Sequence, residues 1–410
     1  MAKKIGILTF HRAFNYGAVL QCYSLQKLLN DNIPGYKTEV IDYRPTSLEK
    51  AYSRSSFGNV INDIKQADHL TVSLFFKIIA KGFRDMLFSG KRKRFEKKRN
   101  SSIRMIMNHL PLSDIHWDDG SFIDYCSDNY DLIIVGSDAI WNSKQLEWPN
   151  MYYLPKKTKS KKFSYAASIY GMDYSLISSE EKELIKDSLA DFEYVGVRDK
   201  ATESFVHSIV PSCKSVCHNC DPSIFLDLKS LPVSIEEVKE KFRLKGINFD
   251  KPIIGFMCNN WLAKAVRNCL GDSFQYVAIY NWNDYSDFYL EDLTPFEWAI
   301  CFSLFRATFT HYFHGTLFSL KNATLTYSIE KKSPYSNKYE TKIVDVLSRL
   351  NLSDRHFYFD EMNENIWKEI KKEIVDFDVD AYKDRVAQGM KKESESSHSF
   401  VEHILLRGLK

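Results

Sequence analysis

The sequence predicts an α/β protein built from two Rossmann-like domains, with a ligand cleft between them and a helical tail. Short apolar runs alternate with segments whose apolar residues recur at helical spacing, which is typical of parallel βα units. The chain has 410 residues, more than one hydrophobic core usually accommodates. A second set of such runs begins at Lys251, which favours two sheets.

The first predicted domain covers residues 1–192. Lys4–Phe10 and Thr38–Tyr43 are apolar strands on either side of Val19–Leu29, which has helical spacing, so the three form a parallel βαβ unit. A dinucleotide is disfavoured because Gly17 stands alone in the first βα turn. Residues 46–120 are predicted as an insertion of helices. The remaining elements are strands at Tyr130–Val135 and Lys162–Ser168 and a helix at 178–192.

The second predicted domain covers residues 193–376, and the charged segment 377–410 is predicted as a helical tail that must pack on another part of the protein. The strands expected here are Tyr194–Asp199, Lys214–Asp221, Pro252–Cys258, Tyr276–Tyr280, Ala307–Phe313 and Thr324–Ile329. The helices expected are 260–270, Thr294–Arg306, 339–351 and 362–376.

Composition narrows the function classes. The 56 Lys and Arg against 53 Asp and Glu give a net charge of only +3, which argues against a nucleic-acid partner. Met1–Lys4 lead straight into a strand, so we expect no signal peptide and a cytosolic protein with reduced thiols. The basic run Lys91–Arg99 fits a solvated helix face, or else peripheral contact with an anionic membrane.

Three cysteines have a spacing that calls for attention. Cys213, Cys217 and Cys220 follow the spacing of the radical-SAM cluster motif. They lie on a predicted strand, however, where side-chain alternation sends Cys220 to the opposite face from the other two. We therefore predict no metal site.

The stretch from Ala307 to Leu320 carries the strongest functional pattern. His314 is expected at the carboxyl end of a strand, where ligands bind in open α/β sheets. Gly315 and Thr316 then open a helix whose N–H groups can hold an anion. A histidine beside an anion site can transfer protons at neutral pH, although it could also simply cap the strand.

Other candidate site residues follow predicted strands in the same way. Arg198 is well placed to bind a carboxylate or a phosphate, or to form a local salt bridge. Asp138 is either a functional carboxylate or the N-cap of a helix. The residues expected to line the cleft and bind substrate are Asn15, Gly17, Ser137, Trp141, Ser168, Gly315 and Thr316.

Six motifs in order resemble the bacterial polysaccharide pyruvyl transferase family over about residues 3–352. They are Phe14–Gln21 (FNYGAVLQ), Val135–Asn142 (VGSDAIWN), Ser164–Ser168 (SYAAS), Val197–Asp199 (VRD), Asp221–Pro222 and Phe313–Thr316 (FHGT). Each motif is weak alone, and their common order makes the resemblance specific.

The resemblance implies a fold similar to the two-domain glycosyltransferase-B arrangement. It also implies transfer of the pyruvyl group of phosphoenolpyruvate to two hydroxyls of one sugar, with a glycan or lipid-linked saccharide as acceptor and no metal or organic cofactor. By the same resemblance, His314 matches the family's catalytic histidine, Arg198 an arginine that holds phosphoenolpyruvate, and Asp138 the family's Gly-Ser-Asp loop.

Two positions depart from the family pattern. Many members carry Arg-x-His, whereas this chain has Tyr312 two residues before His314. Ala139 stands where glutamine is frequent. The cation missing at position 312 is expected from one of three residues, namely Arg306, Lys338 and Lys342.

Two other functions are compatible with the sequence. One is a glycosyltransferase of similar fold that uses a nucleotide-sugar donor, which the missing arginine leaves open. The other is a non-catalytic glycan-binding subunit, which would tolerate loss of His314 and Arg198. The sequence does not indicate the oligomeric state.

Overall fold

A computed structural model shows two α/β domains, each built on one parallel β-sheet. It describes residues 3–13, 15–45, 97, 100, 104, 109–117, 121–143, 150–155, 157–211 and 216–405. This architecture confirms the predicted fold class. Among these residues, no helix combines the length and apolar character required to cross a membrane.

The first sheet has seven parallel strands in the order β3-β2-β1-β4-β5-β6-β7. The strands are β1 Lys3–Leu8, β2 Tyr36–Arg44, β3 Leu112–Trp117, β4 Leu132–Val135, β5 Lys161–Ala167, β6 Tyr194–Val197 and β7 Val216–His218. Its helices are α1 Tyr16–Asn32, α2 Ser121–Asn129, α3 Ser179–Leu189 and α4 Lys200–Ile209. The central strands are fully buried, as expected for a parallel sheet covered on both faces.

The second sheet has six parallel strands in the order β10-β9-β8-β11-β12-β13. The strands are β8 Ile253–Met257, β9 Gln275–Ala278, β10 Phe288–Tyr289, β11 Ala307–Thr310, β12 Leu325–Glu330 and β13 His356–Tyr358. Its helices are α5 Ile235–Leu244, α6 Asn260–Leu270, α7 Pro295–Cys301, α8 Phe313–Lys321, α9 Lys342–Arg349 and α10 Glu364–Asp376, and α11 Val379–His403 follows them.

One apolar cluster joins the two domains directly. Tyr16 and Val19 of α1 are buried together with Trp298 of α7 and Phe318 of α8. The Tyr16 hydroxyl donates a hydrogen bond to the carbonyl of Leu293, 2.9 Å away. This contact fixes the beginning of α1, in the first domain, against the segment that leads into α7 of the second domain.

The sheets require a correction to the predicted domain boundary at residue 192. β6 pairs in parallel with β5, and β7 pairs with β6, so both belong to the first sheet. The sheets therefore divide between His218 and Ile253. The predicted helical insertion at 46–120 also needs correction at its end, because β3 pairs with β2 there. Residues 46–96, which include most of the basic run, lie outside the described residues.

The strand predicted to reach Phe313 ends earlier, so His314 lies in a helix rather than at the end of a strand. β11 stops at Thr310, whose hydroxyl accepts a hydrogen bond from the backbone N–H of Tyr312 and turns the chain. Helix α8 then begins at Phe313, and the Thr316 N–H donates to the carbonyl of Tyr312. The side chain of His314 consequently projects from the first turn of α8.

The tail is helical and packs on both domains, as the sequence requires of a segment without its own core. Near its start, Tyr382 and Val386 of α11 join the core of the second domain. Near its end, Phe400 and Ile404 join the core of the first domain. Helix α11 therefore packs against both domains and connects their cores.

Replacing Gly389 of α11 by alanine is expected to destabilise the protein by about 1–3 kcal/mol. Alanine normally favours a helix by about 1 kcal/mol over glycine. Here, however, its Cβ would lie 2.5 Å from the backbone carbonyl oxygen of Leu350, which cannot move aside easily. Chemical unfolding measures the change, with the neighbouring exposed Gln388→Ala as control. Stabilisation by Gly389→Ala would contradict this packing.

Candidate active site

Four charged or titratable side chains from both domains meet at one place. Asp138, Arg198 and Asp221 follow β4, β6 and β7 of the first sheet, and His314 comes from α8 of the second domain. Arg198 Nη2 lies 3.6 Å from Asp138 Oδ1, and Arg198 Nη1 lies 3.3 Å from Asp221 Oδ2. His314 Nε2 lies 3.7 Å from the same Asp221 oxygen. The structure therefore brings together the three residues to which the sequence assigned catalytic roles.

Asp221 links these groups and was not singled out as a site residue from the sequence. It is fully buried and accepts hydrogen bonds from the side-chain amide of Gln21 and, at 3.0 Å, from the backbone N–H of Ser223. Burial opposes its ionisation, but neighbouring His314 and Arg198 hold the pKa of Asp221 well below its usual range. Its position directly after a strand of a parallel sheet was the available sequence signal.

Arg198 is buried, with only 1% of its surface exposed. Burial disfavours its charge, but Asp138, Asp221 and Asp199 together raise the pKa of Arg198 above its ordinary value. Its guanidinium carbon lies 5.2 Å from the centre of the Phe313 ring. Neither Nε nor Nη2 has a hydrogen-bond partner among the described residues.

Asp138 presents its carboxylate from a backbone conformation that residues other than glycine seldom adopt, with φ of 88°. Its Oδ1 accepts a hydrogen bond from the N–H of Ala139 at 2.8 Å, and 18% of the side chain is exposed. Burial opposes ionisation, but the charges of Arg198, Lys342 and His314 prevail and lower the pKa of Asp138. The residue is therefore an ionised acceptor at neutral pH.

The side chain of His314 lies against the start of α1. A Cβ at Gly17 would be 2.0 Å from His314 Cγ, so only glycine permits this approach. His314 is 5% exposed, and its Nε2 has no hydrogen-bond partner within the part of the chain that the structure describes. The 3.7 Å contact with Asp221 is too long for a hydrogen bond but is a close charge contact when the imidazole is protonated.

Three buried nitrogen atoms in this site thus have no hydrogen-bond partner among the described residues, namely Arg198 Nε, Arg198 Nη2 and His314 Nε2. An unsatisfied buried donor costs about 1–3 kcal/mol, and more when it is charged. The nitrogens of Arg198 and His314 would recover this cost by binding a ligand with anionic oxygen atoms. The arrangement can therefore bind a phosphate or a carboxylate beside a group that transfers protons.

The predicted substrate-binding residues of the first domain are in different surroundings. Gly17 contacts His314, and Asn15 caps α1 by accepting a hydrogen bond from the Gly17 N–H at 2.9 Å. Ser137 adjoins Asp138, and its buried hydroxyl has no partner among the described residues. Ser168 is fully buried, and its hydroxyl donates a hydrogen bond to Asp199 at 2.6 Å. It therefore belongs to the residues that support the site.

Trp141 requires a correction, because it lies in the core of the first domain rather than in a cleft lining. It is fully buried and stacks on Tyr153, with ring centres 5.5 Å apart. Its indole N–H donates to the carbonyl of Tyr152 at 3.1 Å. An aromatic residue after a strand can either line a cleft or pack in a core. The contacts of Trp141 with Tyr153 and Tyr152 are core contacts.

Gly315 and Thr316 also pack inside the second domain. A Cβ at Gly315 would lie 2.4 Å from the hydroxyl oxygen of Thr310, so this glycine lets α8 approach β11 closely. Thr316 is fully buried, and its hydroxyl lies 2.7 Å from that of Ser328. Both residues position the first turn of α8, and the Thr316 side chain is buried inside the domain.

The structure describes only two of the three cysteines in the motif. Cys213 lies outside the described residues, whereas Cys217 is half-buried and Cys220 fully buried. No cluster of three or more His, Cys, Asp or Glu side chains suited to a metal ion occurs within the described ranges.

His311, beside this site, provides a prediction about pH. Burial lowers the pKa of His311 to about 4, although Glu330 opposes the shift. Since the unfolded chain takes up this proton near pH 6.5, stability should fall as pH drops from about 6.5 to about 4. His311→Gln should flatten this dependence by at most about 3 kcal/mol. Denaturant unfolding at several pH values between about 6.5 and about 4 tests this prediction, with the exposed His207→Gln as control. Equal dependence of stability on pH in the two variants would refute it.

Comparison with models of known protein families shows the family to which this sequence belongs. The model of the polysaccharide pyruvyl transferase family matches residues 15–330. The chain belongs to this family. The matched region contains Asp138, Arg198, Asp221 and His314. Membership in the polysaccharide pyruvyl transferase family makes the protein a transferase of polysaccharide pyruvylation. No curated protein sequence matches the chain.

Solved structures agree on the fold of this pyruvyl transferase family member. UDP-GlcNAc 2-epimerase from Neisseria meningitidis has a TM-score of 0.55 at 10% identity, over 99% of this chain and 100% of its own. A glycosyltransferase from Rickettsia africae has a TM-score of 0.52 at 10% identity, over 99% of both chains. Sucrose-phosphate synthase from Thermosynechococcus elongatus reaches 0.51 at 10% identity, again over 99% of both. These similarities establish a glycosyltransferase-B-like arrangement of the two domains.

Proposed function

We propose that this protein transfers the pyruvyl group of phosphoenolpyruvate onto two hydroxyls of one sugar in a surface polysaccharide or its lipid-linked precursor. The products are a cyclic ketal and inorganic phosphate. The observation that carries the proposal is the buried group of Arg198 and His314, in which Arg198 Nε, Arg198 Nη2 and His314 Nε2 have no hydrogen-bond partner among the described residues. A donor with both a phosphate and a carboxylate suits such a site.

Arg198 binds the donor in this proposal. A guanidinium presents parallel N–H groups to a phosphate or a carboxylate and retains its charge when buried. Asp138 and Asp221 hold Arg198 through Nη2 and Nη1, and among the described residues its Nε has no hydrogen-bond partner. The guanidinium is therefore oriented before the donor arrives, which reduces the entropic cost of binding.

His314 transfers protons in the reaction. The methylene carbon of the enol phosphate gains a proton and becomes a methyl group, leaving an oxocarbenium-like carbon that the first sugar hydroxyl attacks. The carbon–oxygen bond to phosphate then breaks as the second hydroxyl forms the ketal ring. Of the two protons that the hydroxyls release, one balances the methyl group and the other leaves with phosphate.

Asp138 orients or deprotonates the acceptor sugar. It is ionised, partly exposed and beside Arg198, so it can accept a hydrogen bond from a sugar hydroxyl. The chemistry as proposed requires no metal or organic cofactor. Because a lipid-linked acceptor would be made at the inner face of the membrane, we place the reaction in the cytosol, with peripheral membrane contact through the basic run.

A double-label experiment tests this function. The protein is incubated with the lipid-linked saccharide and polysaccharide fractions of its source cells and with phosphoenolpyruvate labelled with ¹⁴C in the pyruvyl group and ³²P in the phosphate. We expect ¹⁴C in the saccharide and ³²P in inorganic phosphate, with a methyl resonance of the ketal in the NMR spectrum. Label transferred only from UDP-sugars or GDP-sugars would instead indicate a glycosyltransferase and would overturn the proposal.

A further inference from the structure

Many members of this family carry arginine two residues before the histidine. In this chain that position holds a tyrosine whose side chain already has partners. Tyr312 lies two residues before His314, and its hydroxyl receives a hydrogen bond from the side-chain amide of Asn281. Its ring packs edge-on against Tyr280, with ring centres 5.6 Å apart. Tyr312 therefore brings no positive charge to the site, and a trianionic donor requires a second cation from elsewhere.

Two of the three candidate cations are engaged by other partners. Arg306 donates hydrogen bonds to the carbonyls of Ile374, Val375 and Phe377, at the end of α10. Lys338 is 48% exposed and pairs with Asp173 at 2.8 Å. Both side chains serve to join segments of the fold, and neither contacts Arg198 or His314.

Lys342, the first residue of α9, is the candidate that reaches the site. Its Nζ lies 5.3 Å from the centre of the Phe313 ring, the same ring that Arg198 approaches at 5.2 Å. On its other side, Nζ lies 4.6 Å from the Tyr170 ring. The two cations thus meet around one aromatic side chain that directly precedes His314.

No hydrogen bond or ion pair joins the ammonium group of Lys342 to another residue in the described part of the chain, and it lies over the rings of Tyr170 and Phe313. Burial and the charge of Arg198 lower the pKa of Lys342, with Asp138 and Asp221 opposing that shift. An anion bound between Lys342 and Arg198 would relieve the repulsion between them.

The position of Lys342 is fixed by the end of β12. Thr341, the N-cap of α9, donates its hydroxyl to Glu330 at 2.6 Å, and His356 Nε2 lies 3.0 Å from the same carboxylate oxygen. This anchor holds the first turn of α9 against the second sheet. Lys342 also lies beyond residue 330, where the match to the family model ends.

We propose that Lys342 is the second cation that binds phosphoenolpyruvate, and that it replaces the arginine which many family members carry two residues before the histidine. The inference rests on the proposed function, because it names a further residue of the same donor site. Lys342 contacts the phosphate or the carboxylate of the donor, opposite Arg198. The second positive charge of the donor site thus comes from the first residue of α9 rather than from the position two residues before His314.

Isothermal titration of the full-length protein with phosphoenolpyruvate tests the assignment. Lys342→Met retains the length and packing of the side chain but removes its charge, and we expect roughly 10- to 100-fold weaker binding. Lys342→Arg, which restores the charge, should bind within about tenfold of wild type. Lys338→Met, a charge removed four residues away, should bind as wild type does.

Wild-type affinity in Lys342→Met, or an equal loss in Lys338→Met, would overturn the role of Lys342 while leaving the donor unchanged. Absence of binding by the wild-type protein is a distinguishable result, because it would remove the proposed donor together with this assignment. An unchanged thermal unfolding profile of Lys342→Met and Lys342→Arg without ligand shows that the variants are folded.

Discussion

Replacing His314 by alanine is expected to lower turnover by roughly two or more orders of magnitude. The imidazole shares the buried carboxylate of Asp221 with Arg198, at 3.7 Å from His314 Nε2 and 3.3 Å from Arg198 Nη1. Because His314 makes no hydrogen bond through Nε2 to a described residue, its removal should leave the fold intact. The measurement is the rate of phosphate release from phosphoenolpyruvate in the presence of the saccharide acceptor.

His314→Gln is the matched variant for this prediction. Glutamine retains a polar side chain against Gly17 but cannot transfer a proton at neutral pH, so it should be as slow as alanine. If either variant turned over at a near-normal rate, His314 would have no part in the chemistry. A loss of turnover with a large drop in unfolding temperature would instead assign His314 to the contact between the domains.

Replacing Arg198 by methionine is expected to abolish donor binding and to destabilise the protein. Removing one partner of a buried ion pair typically costs about 3–5 kcal/mol, because the remaining charge stays buried. Here Asp138 and Asp221 would both lose their common partner. Chemical unfolding measures the stability, and titration calorimetry with phosphoenolpyruvate measures the binding.

A second substitution separates the two roles of Arg198. Arg198→Met combined with Asp138→Asn removes one of the stranded carboxylates and should recover part of the lost stability. It should not recover donor binding, because the guanidinium is still absent. Recovery of binding in the double variant would show that Arg198 supports the fold without contacting the donor.

The sequence located much of this site because parallel strands end at a common edge. Asp138 lies three residues after the buried strand β4 and Arg198 directly after β6, so the topology alone brings them to one edge of the sheet. His314 was assigned the right region but the wrong element, since a hydroxyl contact at Thr310 ends the strand early. Such a local hydrogen bond is not visible in a pattern of apolar residues.

Other features depend on contacts between residues far apart in the chain. Asp221 acquires its role from Gln21, two hundred positions earlier, and from His314 in the other domain. Trp141 is expected in the cleft because it follows two small residues and an acidic one at the carboxyl end of a strand, but its ring packs inward on Tyr153. Choosing Lys342 over two other cations required the position of the Phe313 ring.

The most direct test of the central claim is thermal unfolding of the wild-type protein in the presence of phosphoenolpyruvate and, separately, of UDP-sugars and GDP-sugars. A ligand at about 100 times its Kd stabilises the native state by ~2.7 kcal/mol, which raises the melting temperature measurably. We predict such a shift with phosphoenolpyruvate in the wild type and none in Arg198→Met. A shift with a nucleotide sugar and none with phosphoenolpyruvate would contradict the account.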